Sequence, residues 1–193
     1  MSGVGLVVLL PLMLVIAILV RLDSSGPSLF RQTRVGKSFR EFEALKYRSM
    51  KTGNNGVGVT CGQEARITRV GAFLRTYKLD ELPQLWNVFC GDMSIVGPRP
   101  ELPEFVDLFR TEYEEILTVR PGLTDPASIR YRSEVEIIGR SSQDPVNYYT
   151  NVILPDKLEI SRRYLRSANF GKDFFLIMQT IAVLFHKQSE QIP

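Results

Sequence analysis

At 193 residues the chain suits one domain with at most an appendage, and it is long enough to bury a real core. A net charge of +3 without a long basic run or a basic-aromatic stripe argues against a nucleic-acid partner. Two cysteines, Cys61 and Cys90, and the single histidine His186 argue against a disulfide framework, a zinc site and histidine-dependent catalysis.

Val4 to Val20 is a run of 17 residues without charge, at the lower limit for spanning ~30 Å of hydrocarbon. It lacks the basic front and the small-x-small site of a signal peptide. Two readings remain from the residues: a helix that crosses the bilayer, and a re-entrant element bent at Pro11. Proline removes a backbone donor and clashes with the preceding turn. Arg21 closes the run with a cation of the kind that stays cytoplasmic.

Asp23 to Ser28 is a turn cluster. Leu29–Phe30 and Ser38 to Tyr47 read as short strands of a hairpin around Arg34-Val35-Gly36-Lys37. Lys51 to Gly62, rich in Gly, Asn and Thr, reads as a loop without the Gly-Lys-Ser/Thr ending of a P-loop. The spacing predicts a helix over Thr68 to Thr76. A second should run from Asp80 to about Phe89, with Leu82, Leu85, Trp86 and Phe89 along one face. Gly97-Pro98-Arg99-Pro100 is a rigid turn, and Glu101 to Val119 is amphipathic. Tyr148 to Arg166 contains another helix, interrupted or started near Pro155. Phe174 to Phe185 fits either a core helix or one lying in a membrane interface. Phe30, Phe39 and Phe42 read as core, and Trp86 as core or an interfacial anchor. No internal repeat is evident.

Asp80 and Glu81 are the residues where chemistry could sit. Adjacent helical residues point about 100° apart, so the two carboxylates diverge and can do different jobs. The positive end of a helix favours both as anions and favours phosphate nearby. An ionised Asp can attack phosphorus to give an acyl phosphate, and a neighbouring Glu can hold Mg²⁺ against substrate phosphates. Ordinary helix capping explains the same residues equally simply. Arg75, Lys46, Arg48, Arg99 and Arg120 can each clamp a phosphate or pair with a surface acid. Arg99 and Arg120 are the more suggestive, because prolines hold the backbone around them.

The ordered series of motifs resembles the bacterial sugar transferases, the monotopic phosphoglycosyl transferases, over nearly the whole chain. The series comprises the Pro-broken apolar entry, Phe30-x-Gln32-x-Arg34-x-Gly36, Phe42-x-x-x-Lys46-x-Arg48-x-Met50 and Gly71-x-x-Leu74-Arg75. It continues through Leu79-Asp80-Glu81-Leu82-Pro83-Gln84-Leu85-x-Asn87-Val88. Gly91-Asp92-Met93-Ser94-x-Val96-Gly97-Pro98-Arg99-Pro100 and Arg120-Pro121-Gly122-Leu123-Thr124 complete it.

The resemblance implies transfer of a sugar 1-phosphate from a UDP-sugar to polyprenyl (undecaprenyl) phosphate with release of UMP, which initiates a surface glycan. Asp80 would be the nucleophile that carries a covalent phosphosugar. Asp80 and Glu81 would be the Mg²⁺ ligands, and Lys46, Arg48, Arg75, Arg99 and Arg120 the substrate-binding cations. It also turns the open membrane reading towards the re-entrant form. The implied fold class is α+β, mostly α, with an N-terminal re-entrant membrane helix, a small β-hairpin and a helical catalytic domain with amphipathic interfacial helices. Residues 1–22 would be the membrane segment and 23–193 the catalytic domain, on the cytoplasmic face of a bacterial inner membrane. The lipid bilayer is then a partner, and a homo-oligomer is left open.

Three departures stand out. Relatives in this family usually carry a basic, Asp-containing stretch before the apolar run, where this chain has only Met1-Ser2-Gly3; an N-terminal truncation or a short start is the expectation. Leu10 stands before Pro11, where a serine is common. After Thr124 the chain reads Asp125-Pro126-Ala127-Ser128-Ile129-Arg130-Tyr131-Arg132 instead of the frequent Gly-x-Ala-Gln-Val-x-Gly-Arg, which marks a variant branch. Two competitors are a catalytically inactive membrane-anchored scaffold and a glycosyltransferase that releases UDP. Intact Asp80, Glu81 and Arg75 argue against the first, and the lack of a convincing Asp-x-Asp motif against the second.

Overall fold

The computed structural model of the chain describes residues 2–51 and 66–185. The glycine-rich segment beyond Lys51, Cys61 and His186 lie outside the described residues.

Helix α1 (Ser2–Asp23) keeps Pro11 in its interior and is assigned as one helix across it. At 1.5 Å per residue it is ~33 Å long. Its Gly5–Asp23 portion is long and apolar enough to cross a membrane. One stripe faces the protein: Met13, Ile16, Ala17 and Val20, at i, i+3, i+4 and i+7, pack on Tyr47 and Leu74. The Tyr47 hydroxyl donates to the Met13 carbonyl at 2.7 Å. At the far end, Gly3 lies beside the Phe89 ring. The outward side chains, such as Val7, Leu14 and Ile18, are exposed.

The hairpin forms as expected in kind, with a longer first strand and a later turn. Strand β1 (Leu29–Val35) pairs antiparallel with β2 (Glu41–Tyr47). Phe30 departs from its core reading and is exposed, whereas Phe39 packs against the core with the Arg110 guanidinium over its ring.

Helix α2 (Arg69–Thr76) starts at Thr68, whose hydroxyl accepts from the Gly71 amide at 2.9 Å. Gly71 has no room for a side chain: a Cβ there would lie 2.1 Å from the Ser49 carbonyl oxygen. The close approach seats α2 against the end of the hairpin, next to the turn that follows.

That turn corrects the sequence reading. Asp80 caps no α-helix. Leu79–Glu81 is a 3-10 turn entered through Lys78 in the left-handed region (φ 54°), and α3 (Gln84–Cys90) begins after Pro83. Proline supplies no amide donor, so the tight turn and the helix remain separate pieces. Of the expected apolar face, Leu82 packs on the Tyr47–Leu74 cluster, but its later residues turn outwards. Trp86 and Phe89 are 51% and 57% exposed and pair with each other, while Gln84 and Asn87 are buried. Trp86 therefore is not core.

Strand β3 (Ser94–Val96) pairs parallel with β4 (Gly122–Thr124). The pairing needs glycine on both sides: a Cβ on Gly122 would sit 2.1 Å from the Gly97 nitrogen. The Gly97 amide donates to the Thr124 carbonyl and the Gly122 amide to the Pro98 carbonyl, which fixes the backbone on both sides of Pro98, directly before Arg99.

The helical body carries the main core. The stretch expected as one amphipathic helix is two, α4 (Pro103–Leu108) and α5 (Arg110–Ile116), because the backbone leaves helical values at Phe109 (φ −122°, ψ 38°), whose side chain still packs on the core while Leu108 is exposed. Short helices α6 (Pro126–Arg130), α7 (Glu134–Arg140) and α8 (Pro145–Tyr148) follow. A π turn (Tyr149–Ile153) then leads into α9 (Leu154–Ser167). Phe105, Val106, Tyr113, Ile116, Tyr149, Ile153 and Leu158 meet in the main cluster. Helix α10 (Phe170–Phe185) packs on α6, β3 and β4, buries Leu176 and leaves Phe170, Phe174 and Phe175 exposed.

Candidate active site

The 3-10 turn sets Asp80 and Glu81 at the wall of a cavity of about 420 Å³. Both are buried, at 9% and 8% exposure. Their surroundings differ. Glu81 accepts from the Arg99 guanidinium on both carboxylate oxygens, one of them at 3.1 Å, and from the Lys46 ammonium at 3.0 Å. Burial pushes its carboxyl up, but the charges of Arg99 and Lys46 override this and hold it well below the ordinary range. One oxygen of Asp80, Oδ1, is buried without a hydrogen-bond partner. Burial first, and the Glu81 charge second, raise the Asp80 carboxyl.

Each positioning element has a local cause. Lys46 stands on β2, which is hooked to α3 by Asn87: its amide donates to the Glu43 carbonyl at 2.8 Å and its carbonyl oxygen accepts from the Leu45 amide at 3.0 Å. Arg99 is carried by the proline turn that the β3–β4 pairing fixes. Arg75 reaches the cavity from the last turn of α2.

Of the seven sequence candidates, five line one cavity: Lys46, Arg75, Asp80, Glu81 and Arg99. Arg48 and Arg120 do not. Arg48 is 4% exposed, and its guanidinium donates to the carbonyls of Pro27, Val20 and Ser24 at 2.5, 3.2 and 2.6 Å. It fastens the end of α1, a cation set on the carbonyls at and just beyond the helix C-terminus. Arg120 is exposed and lies beside Gly91.

Sequence reasoning missed a second charged wall. Arg34 donates to Glu101 at 2.9 Å, the Tyr149 hydroxyl donates to the other Glu101 oxygen, and Lys157 pairs with Glu134. Lys78, Tyr131 and Arg132 also line the cavity. The crowding of Arg130-Tyr131-Arg132-Ser133-Glu134 was the available signal, and the pairing between distant segments was not.

Comparison with known proteins decides the family. The bacterial sugar transferase family model matches residues 1–187. The chain belongs to the bacterial sugar transferase family. A UDP-N-acetylgalactosamine-undecaprenyl-phosphate N-acetylgalactosaminephosphotransferase of Aeromonas hydrophila is 46% identical over 126 residues, 62% of this chain and 29% of the relative. A UDP-glucose:undecaprenyl-phosphate glucose-1-phosphate transferase of Caulobacter vibrioides is 46% identical over 125 residues, 62% of this chain and 47% of the relative. Its namesake in Escherichia coli is 34% identical over 182 residues, 91% of this chain and 36% of the relative. The match thus spans less than half the length of each of these three relatives, and their names carry two different sugars.

Proposed function

We propose that the chain is a phosphoglycosyl transferase that moves a sugar 1-phosphate from a UDP-sugar to a polyprenyl phosphate, releases UMP and so initiates a surface glycan. The observation that carries this reading is the unpartnered, buried Asp80 oxygen at the cavity wall beside a Glu81 held anionic by two cations. A carboxylate kept basic by burial, without a donor to quench it, suits nucleophilic attack.

In the first step an Asp80 oxygen attacks the phosphorus bonded to the sugar. An O–P bond forms, the bond to UMP breaks, and UMP leaves with that electron pair. In the second step an oxygen of the polyprenyl phosphate attacks the same phosphorus and the Asp80 carboxylate leaves. Arg75 and Lys78 stand to hold phosphate oxygens at the cavity, while Lys46 and Arg99 keep Glu81 ionised and fixed.

Mg²⁺ fits this site as a guest of the substrate. It takes one or two carboxylates plus phosphate oxygens. Among the described residues no group of three or more His, Cys, Asp and Glu could hold a metal alone. Asp80 has a free oxygen, whereas Glu81 already binds Lys46 and Arg99, so Asp80 is the better ligand and Glu81 shapes the local charge. When bound, the ion would neutralise charge on the diphosphate.

α1 would be the membrane element, bent at Pro11 in the re-entrant manner, with the catalytic body on the cytoplasmic face. Both of its ends lie against that body, Gly3 at Phe89 and Val20 with Tyr47 and Leu74, which favours entry and exit on one side. Exposed Trp86, Phe89, Phe174 and Phe175 suit the bilayer interface.

The test is a panel of UDP-sugars that includes UDP-glucose and UDP-N-acetylgalactosamine, incubated with polyprenyl phosphate and Mg²⁺. Release of UMP is expected with at least one donor. Release of UDP instead, or no turnover with any donor, contradicts the reading.

A further inference from the structure

We propose that the prenyl chain of the acceptor runs between α10 and the β3–β4 pair, in an aliphatic channel that leaves the cavity over Ile181. This inference rests on the reading of the chain as a polyprenyl-phosphate transferase and assigns the lipid half of its site.

The cavity is lined by two chemistries. Dyad and cations come from β2, α2, the 3-10 turn and the proline turn. Opposite them, Ile95 of β3, Leu123 of β4, Ile129 of α6, and Ile177 and Ile181 of α10 form an aliphatic wall. These elements pack on one another, so the five side chains belong to one region. Two polar ties fix the rotation of α10: the Thr180 and Thr124 hydroxyls meet at 2.6 Å, and Arg132 donates to the Val183 carbonyl. Ile177 and Ile181, four residues apart, share the inward face.

Ile181 is also 45% exposed, so it stands at the rim. It ends a second stripe, Phe174, Met178 and Ile181 at i, i+4 and i+7, all exposed. The aliphatic wall inside the cavity therefore continues onto the outer apolar face of α10. A site that took only a nucleotide sugar would have no use for such continuity.

The wall's chemistry also selects the occupant. A nucleobase asks for a ring to stack on and for edge partners. Among the described residues no Asn or Gln lines the cavity, and its rings, Phe105, Tyr131 and Tyr149, belong to the charged wall: Tyr131 donates to Asp156, Tyr149 to Glu101, and Lys157 lies over both tyrosine rings. An isoprenoid chain asks only for aliphatic burial. Its phosphate would then lie at the Asp80 end, where the cations are.

The experiment uses the full chain in lipid nanodiscs and a polyprenyl phosphate with a diazirine in its prenyl chain. After irradiation, peptides containing Leu123–Ile129 and Ile177–Ile181 should carry the label, and excess unlabelled polyprenyl phosphate should remove it. In parallel, Ile177→Gln and the rim variant Ile181→Gln should raise KM for the acceptor by about tenfold, the loss of roughly two buried methylenes, with KM for the UDP-sugar unchanged. Label confined to α1, label that the competitor does not remove, or a raised donor KM with the acceptor KM unchanged would overturn the channel. If the unmodified chain turns over no UDP-sugar, the transferase reading falls on its own. The label map then still decides whether a prenyl chain occupies this wall.

Discussion

Glu81 lies between the Arg99 guanidinium and the Lys46 ammonium, whereas one oxygen of Asp80, its neighbour in the same turn, faces the cavity wall with no partner. The two sides of the dyad share a backbone, and their surroundings shift the two carboxyls in opposite directions. On the Glu81 side the fold stabilises an anion. On the Asp80 side it raises the carboxyl and so works against its ionisation. The dyad is thus divided into a half held anionic and a half more readily protonated, and the proposed mechanism makes the second the reactive one.

The difference can be broken most sharply at Asp80. Under the proposed mechanism Asp80→Asn should lower turnover by roughly 10⁴-fold or more, since it replaces the carboxylate nucleophile with a neutral amide. It should also raise the melting temperature at neutral pH. A carboxylate whose folded-state value is raised costs stability once ionised, and the amide does not ionise. Thermal melts with intact-mass controls check this; a variant less stable than the parent at neutral pH would contradict the assignment.

Glu81→Gln should do the reverse to stability. It leaves the partly buried Lys46 and Arg99 without their counter-ion, at a cost of about 3 kcal/mol in denaturant unfolding. Because Glu81 is depressed, its stabilising share is present above its unfolded value and is lost as pH falls through the lower folded one. Arg48→Ala should cost about 2 kcal/mol by removing the buried guanidinium that ties the Val20, Ser24 and Pro27 carbonyls together. The folded fraction of that variant should still release UMP.

A gentler probe reads the Asp80 side through the pH dependence of the rate. The acid limb of the rate should lie above the ordinary carboxylate range, because Asp80 must be ionised to attack. Lys46→Met removes a charge that lowers Asp80, so the limb should move to still higher pH. Smallest of all is Arg120→Ala, which removes an exposed cation away from the cavity lining and should leave turnover and melting temperature nearly unchanged.

The hairpin, α2 and the membrane-length α1 were legible in the sequence, because a turn between strand-like runs, helical spacing and an uncharged run each act locally. Asp80, Glu81, Lys46, Arg75 and Arg99 were legible as a set only through the order of their motifs; no spacing rule joins β2 to a proline turn more than fifty residues later. Arg48 was misplaced for a physical reason. A cation beside a polar turn looks the same in sequence whether it binds phosphate or the carbonyls of a helix end. The 3-10 turn was hidden because Lys78 adopts a left-handed conformation that favours Gly or Asn, neither of which is present to mark it. The outward Trp86 and Phe89 show helical periodicity that cannot distinguish a core from a surface suited to lipid.

The most direct measurement is the intact mass of the chain incubated with its UDP-sugar in the absence of acceptor, followed by peptide mapping. The division of the dyad predicts a mass gain of one sugar phosphate on the peptide containing Asp80, lost in Asp80→Asn and discharged when polyprenyl phosphate is added. An adduct on Glu81 or elsewhere, or one that persists in Asp80→Asn, would contradict it.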